Sequence, residues 1–228
     1  MATQRRILFH WSFLVIAALL PLVEVFVPHQ YHFATLLRPI FIMAILALER
    51  LAIGTLPRKT LVSTVMSNAG LESAIEAAGG KMMRTAVGDQ NVLAAMLKHD
   101  LTLGGEQSGH IILREFATTG DGLVAALQIL RVMKLTGKPL SELARCWTRY
   151  PQMLTNMVVR EKKPLEELKE VGRLVAQAEE SLKSEGGRIL LRYSGTEPKI
   201  RLLLEGRNAA VLKQWNQKIS KAIKAELG

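Results

Sequence analysis

TLVSTVMSNAGLESAIEAAGGKMMRTAVGDQNVLAAMLKHDLTLGG, residues 60–105, passes from strand-like to helix-like periodicity and back. TLVSTVMSN reads as a buried strand ending in turn residues, LESAIEAAG as a helix and KMMRTAV as a second strand. DQNVLAAMLKHD reads as a helix with Asp89 at its N-cap, and LTL as a third strand. Short apolar strands alternating with helices argue for a parallel or mixed sheet covered by helices. The flanks continue the rhythm. IMAILALERLAIG reads as a helix stopped by Gly54, GEQSGHIIL as a loop and a strand, and GLVAALQILRVMKLTG as a helix with Asp121 as its cap.

Around Tyr150-Pro151 the order of elements changes. The strand MLTNMVVRE is followed by a charged helix from Pro164 to about Lys183, the strands GRILLRY and KIRLLLEG, and a closing helix from Asn208. That β-α-β-β-α order predicts a small antiparallel sheet with helices on one face. A chain of 228 residues is long enough for two compact units. The expected division is a leader at 1–41, a helix-flanked mixed or parallel α/β domain at 42–149 and a small α+β domain at 150–228. There is no internal repeat or low-complexity linker.

The leader contains ILFHWSFLVIAALLPLVEVFV, residues 7–27, about the length needed to cross a bilayer. It is a candidate membrane helix or interfacial anchor. Arg5-Arg6 ahead of it also fit a secretory signal, and a misjoined leader is a third reading.

The formal net charge is +10, but the cations are dispersed and only 5% of residues are aromatic. With no RNP-like string, finger spacing or basic run, nucleic acid is not an expected partner. The single Cys146 rules out an intrachain disulfide and is read as core packing, while His10, His29, His32, His99 and His110 lack metal-ligand spacing. No metal site is expected in this chain.

Two polar islands carry candidate chemistry. In LLRYSGTEPKIRLLLEG, residues 190–206, a Ser-Gly-Thr turn lies between two strands bearing Arg192 and Arg201. Clustered amides, hydroxyls and guanidinium forks suit a phosphate, the alternative being a polar hairpin turn with solvated arginines. GGEQSGH, residues 104–110, falls at the end of a probable parallel strand, where α/β folds place ligands. There Glu106 can accept from sugar hydroxyls, Ser108 can donate or accept, and His110 can shuttle a proton. The alternatives are a solvated loop carboxylate and a structural histidine.

TVMSN (64–68), RTAVGD (84–89), GEQSGH (105–110), TTGDGL (118–123) and SGTEP (194–198) follow the order found in the phosphoglucosamine mutases, and the chain resembles that family of the α-D-phosphohexomutase superfamily over nearly all of residues 42–228. The resemblance implies the third and fourth of four domains. It implies that Glu106, Ser108 and His110 belong to the sugar-recognition loop and that Arg192, Ser194, Gly195 and Thr196 grip the substrate phosphate, with Arg201 as an additional candidate.

Enzymes of that family convert glucosamine 6-phosphate to glucosamine 1-phosphate through a phosphoserine, using Mg²⁺. This chain has no Ser-His-Asn string, and its only aspartates, Asp89, Asp100 and Asp121, are not spaced as a metal loop. Gln90 stands where relatives often carry a basic residue, and Tyr193 where a proline is common. The expectation is a sugar-phosphate-binding half without turnover of its own, with residues 42–228 in the cytoplasm and a separate N-terminal mutase half as one candidate partner. The competing readings are a non-catalytic sugar-phosphate-binding module held at a membrane through residues 7–27 and a membrane protein whose soluble part has lost ligand binding.

Overall fold

The computed structural model describes residues 39–228. The candidate membrane segment at 7–27 lies outside the described residues. Among these, no helix is long and apolar enough to cross a membrane. The chain divides into two compact units, one holding 39–67 and Ala74–Thr148, the other Asn68–Ser73 and Arg149–Gly228.

The first unit opens with α1 (Pro39–Ala52), which begins three residues ahead of Ile42 and is apolar almost all round. Met43, Ala44, Ile45, Leu46 and Ala47 are all buried, as expected of a helix enclosed in a core. Near its end the buried Arg50 reaches both carboxylate oxygens of Glu115, at 3.1 and 2.5 Å. A buried guanidinium needs such a fork-to-fork partner to offset its lost hydration.

Four strands follow: β1 (Thr60–Thr64), β2 (Lys81–Thr85), β3 (Leu103–Gly105) and β4 (Ile111–Leu113). They form one mixed sheet in the order β2-β1-β3-β4, with β1 parallel to β2 and β3, and β4 antiparallel to β3. The connecting helices are α2 (Ala69–Ala77), of which the residues up to Ser73 fall in the second unit, α3 (Asp89–Lys98), α4 (Gly122–Thr136) and the short α5 (Leu140–Leu143).

Gly104 and Gly105 show how closely the sheet is covered. A Cβ on Gly104 would lie 2.7 Å from Met96 Sδ on α3, and one on Gly105 would lie 2.7 Å from Met43 Sδ on α1. Successive strand residues point to opposite faces, so α1 and α3 cover opposite faces of the sheet at β3.

Three sequence readings are corrected in this unit. The strand expected over TLVSTVMSN stops at Thr64, because Ser67 N–H turns back to the Thr64 carbonyl. Arg84 holds that turn by donating to the Thr64 and Ser67 carbonyls at 3.2 and 2.9 Å. The N-cap of α3 is Gly88 rather than Asp89, since the backbone there takes φ +125°, a region open to glycine. Cys146 is exposed instead of packed in the core. Neighbouring protein atoms still desolvate its sulfur and push the thiol up to about 11. The reading of Asp121 holds, for its carboxylate accepts from Leu123 and Val124 N–H at the start of α4.

The second unit contains β5 (Gln152–Val158), α6 (Lys169–Lys183), β6 (Arg188–Tyr193), β7 (Lys199–Glu205) and α7 (Ala209–Leu227). The sheet order is β5-β7-β6 with both pairings antiparallel. Ile200, Leu202 and Leu204 alternate along β7 and share one core with Val171, Leu174, Ala178 and Leu182 of α6 and Leu212, Ile219 and Ile223 of α7. Both helices therefore lie on the same face of the sheet.

The helix expected from Pro164 is split into a 3-10 turn at Leu165–Glu167 and α6 from Lys169. Buried Leu168 breaks it, and Glu226 of α7 caps α6 by accepting from Glu170 and Val171 N–H. Asn208 caps α7 in the same way.

Gly172 is an exposed interior residue of α6 with nothing within 4 Å of an added Cβ. Gly172→Ala is expected to stabilise the second unit by about 0.5–1 kcal/mol, measured by urea unfolding, because alanine loses less backbone freedom in a helix.

Candidate functional site

In the first unit the carboxyl ends of the parallel strands bring together three turns: Val65–Ser67 after β1, Ala86–Gly88 after β2 and Glu106–His110 after β3. Glu106 is buried rather than solvated. Its Oε1 accepts from the Gly88 amide at 2.8 Å, and its Oε2 lies 3.5 Å from His110 Nδ1. Each carboxylate oxygen has two acceptor sites, so both retain capacity for a ligand hydroxyl.

The loop is closed by Glu106 N–H donating to the His110 carbonyl at 2.8 Å and by Gly109 N–H turning back to the Glu106 carbonyl at 3.3 Å. Ser108 sits exposed at the tip, while His110 is partly exposed. The TTGDGL segment packs directly on that histidine, and a Cβ on Gly120 would lie 3.2 Å from His110 Cα. This arrangement joins a fixed acceptor, an exposed hydroxyl and an imidazole in one loop, the donor and acceptor set that a sugar ring requires.

In the second unit the loop Ser194–Pro198 joins β6 to β7. Ser194 is buried, and its N–H donates to the Lys199 carbonyl at 2.8 Å. Arg192 and Arg201 are direct cross-strand partners in an antiparallel pair, so both side chains leave the sheet on one face, opposite the helices. Like charges placed directly opposite destabilise a sheet unless something neutralises them.

Among the described residues no hydrogen bond or ion pair engages the Arg192 guanidinium. Arg201 makes only long contacts, 3.4 Å to Ser194 Oγ and 3.3 Å to Glu197 Oε2, and its buried Nε has no acceptor there. The Glu197 carboxyl is held below its ordinary range by the Lys199 ammonium, 2.5 Å away, and then by Arg201. Gly195 and Thr196 are exposed, and their amides are not engaged by other backbone groups among the described residues. Exposed amides, a hydroxyl and two facing guanidinium groups are donors of the kind that can hold an anion.

The sequence reading passed over four participants: Gly88, whose amide holds Glu106; Arg84, which fixes the turn after β1; Asn156, the partner of Arg201 on β5; and Lys162, whose ammonium donates to the Ser194 carbonyl at 2.7 Å. Only Gly88 and Arg84 carried a signal, through the RTAVGD string.

No group of three or more His, Cys, Asp or Glu side chains stands together among the described residues. All three aspartates have structural work: Asp89 accepts from Gln90 N–H, Asp100 pairs with Arg114, and Asp121 caps α4. These residues do not fit a magnesium site.

The model of phosphoglucomutase/phosphomannomutase α/β/α domain III matches residues 39–150, and that of the family's C-terminal domain matches residues 154–222. A Geobacter metallireducens protein named phosphoglucosamine mutase is 48% identical over 187 residues, covering 82% of this chain and 41% of that protein. One from Pelobacter propionicus, of the same name, is 49% identical with the same coverage. The chain thus spans about two fifths of the length of the curated relatives it matches.

Among solved structures, Aspergillus fumigatus N-acetylphosphoglucosamine mutase in complex with GlcNAc-6P and magnesium superposes with a TM-score of 0.65 at 18% identity, covering 84% of this chain and 44% of that one. At that identity the likeness speaks to the fold. The family models and the curated relatives agree on one assignment, and the chain belongs to the phosphoglucomutase/phosphomannomutase family, carrying its domain III and its C-terminal domain.

Proposed function

We propose that this chain is the sugar-phosphate-binding part of a phosphoglucosamine mutase-like protein, whose reaction interconverts glucosamine 6-phosphate and glucosamine 1-phosphate. The observation that carries the reading is the facing pair Arg192 and Arg201 beside a Ser-Gly-Thr loop, two fixed cations without a full complement of acceptors. The names of the 48–49% identical relatives and the GlcNAc-6P complex of the Aspergillus fumigatus protein support the choice of ligand.

On this reading Arg192, Ser194, Gly195, Thr196 and Arg201 hold the phosphate. Glu106 and Ser108 hold sugar hydroxyls, and His110 lies beside the ring as a proton shuttle. The phosphoryl-carrying serine and the carboxylates for Mg²⁺ that the reaction needs lie outside these two domains, and this binding part works in the cytoplasm.

Calorimetry on the full chain tests the binding claim by comparing glucosamine 6-phosphate with glucosamine. Preference for the phosphorylated sugar is expected, and equal affinity would defeat the reading. The chain alone is also expected to form no glucosamine 1-phosphate with Mg²⁺ and catalytic glucosamine 1,6-bisphosphate, because neither Ser108 nor Ser194 has an acidic cluster beside it to organise a metal. Product formation should require mixing with the N-terminal half of a relative. Turnover by the single chain that Ser108→Ala abolishes would contradict this division of roles.

A further inference from the structure

Lys162 lies in the connection between β5 and α6, far from the Ser-Gly-Thr loop in the chain, yet its Nζ donates to the Ser194 carbonyl at 2.7 Å. Two further bonds tie the same connection to the loop: Val159 N–H to the Pro198 carbonyl at 3.0 Å and Tyr193 Oη–H to the Lys163 carbonyl at 2.7 Å. The connection is thereby fastened to both ends of the loop, and Lys162 is its one side chain that holds a peptide group within it.

The orientation of that peptide matters. In a planar trans peptide the carbonyl and the following N–H point in opposite directions. With the Ser194 oxygen drawn to the Lys162 ammonium, the Gly195 N–H is turned away from it. Glycine places no Cβ restraint on the peptide, and open space surrounds Gly195, so little else in the loop opposes its rotation. A rotated peptide would present a carbonyl oxygen, an anion-repelling group, where the amide now stands.

We propose that Lys162 is a positioning residue of the phosphate loop, locking the Ser194–Gly195 peptide so that the Gly195 N–H faces the bound phosphate. This rests on the phosphate-binding reading above. Lys162 acts through the peptide, and its own positive charge is a secondary contribution.

The test compares the full chain with Lys162→Met, Lys162→Arg and Lys163→Met, using inorganic phosphate and glucosamine 6-phosphate as probes. Lys163→Met removes a neighbouring cation whose side chain pairs with Glu161. Lys162→Met is expected to weaken both probes by about tenfold, the scale of one lost charge-assisted contact. That loss should persist at high salt, where a contribution of charge alone is screened. The amide resonance of Gly195 should shift on phosphate binding in the wild-type chain and lose that shift in Lys162→Met at saturating phosphate. Lys162→Arg should restore much of both signals, and Lys163→Met should leave them unchanged.

Wild-type binding with an unaffected Lys162→Met would overturn the assignment alone. So would a loss that disappears at high salt while the Gly195 shift is retained, because the lysine would then act by charge only. A wild-type chain that binds neither probe would overturn the phosphate reading, and the assignment with it.

Discussion

Arg192→Ala and Arg201→Ala are each expected to weaken glucosamine 6-phosphate binding at least about tenfold, and the double variant about a hundredfold. A hydrogen bond to a charged group contributes roughly 1.5–3 kcal/mol, and each 1.4 kcal/mol is tenfold in affinity. Arg201→Ala should cost more than Arg192→Ala, since Arg201 also contacts Ser194 and Glu197 within the loop. The two arginines face each other across the β6–β7 ladder, so removing one relieves a like-charge pair in the unliganded protein. Affinity should therefore fall without loss of thermal stability. Calorimetry and melting curves on the same samples read the two effects separately. Parallel losses of affinity and stability would mean that the arginines serve the fold rather than a ligand.

Gly105→Ala should destabilise the first unit by about 3 kcal/mol, near the upper end of typical overpacking costs. Its Cβ would stand 2.5 Å from the His110 carbonyl oxygen and 2.7 Å from Met43 Sδ. The oxygen belongs to the backbone and is already bonded to Glu106 N–H, so it cannot swing aside as a flexible side chain would. Relief must come from opening the β3–β4 ladder or displacing α1. In a protein of this length the melting point should fall by roughly 6–12 °C. Sugar contacts through Glu106 should weaken in the same variant, because its amide is anchored to that oxygen. A melting point within 2 °C of wild type, about the shift that 1 kcal/mol or less produces, would show that the strand accommodates the methyl group without strain.

Much of the fold could be read from local pattern. The alternation between β1 and β3 gives parallel strands with crossover helices, and the β-α-β-β-α order of the second unit is the observed one. Asp121 and Asn208 cap the helices that follow them, because the capping bond joins residues two or three apart and depends little on anything distant. The misreadings have the opposite character. Asp89 has the residue type of a cap, yet the cap is Gly88, at φ +125° and with its amide bonded to Glu106, 18 residues away. Val65 and Met66 looked like strand ahead of the turn residues Ser67-Asn68, because the earlier end at Thr64 depends on Arg84 of the neighbouring strand. Cys146 looked like core because composition does not reveal which side of a short turn faces solvent.

The sequence by itself determined the element types, the order of the five motif strings and the residues able to donate or accept at each loop. Only the tertiary structure decided which of them meet. Strand register set Arg192 opposite Arg201 and Asn156 beside it, and chain folding across 32 residues brought Lys162 to the Ser194 carbonyl. Periodicity and capping arise from backbone geometry over a few residues, which neighbouring side chains suffice to specify. Register and long-range hydrogen bonds are set by how two buried faces fit together, and no short stretch of sequence contains both faces.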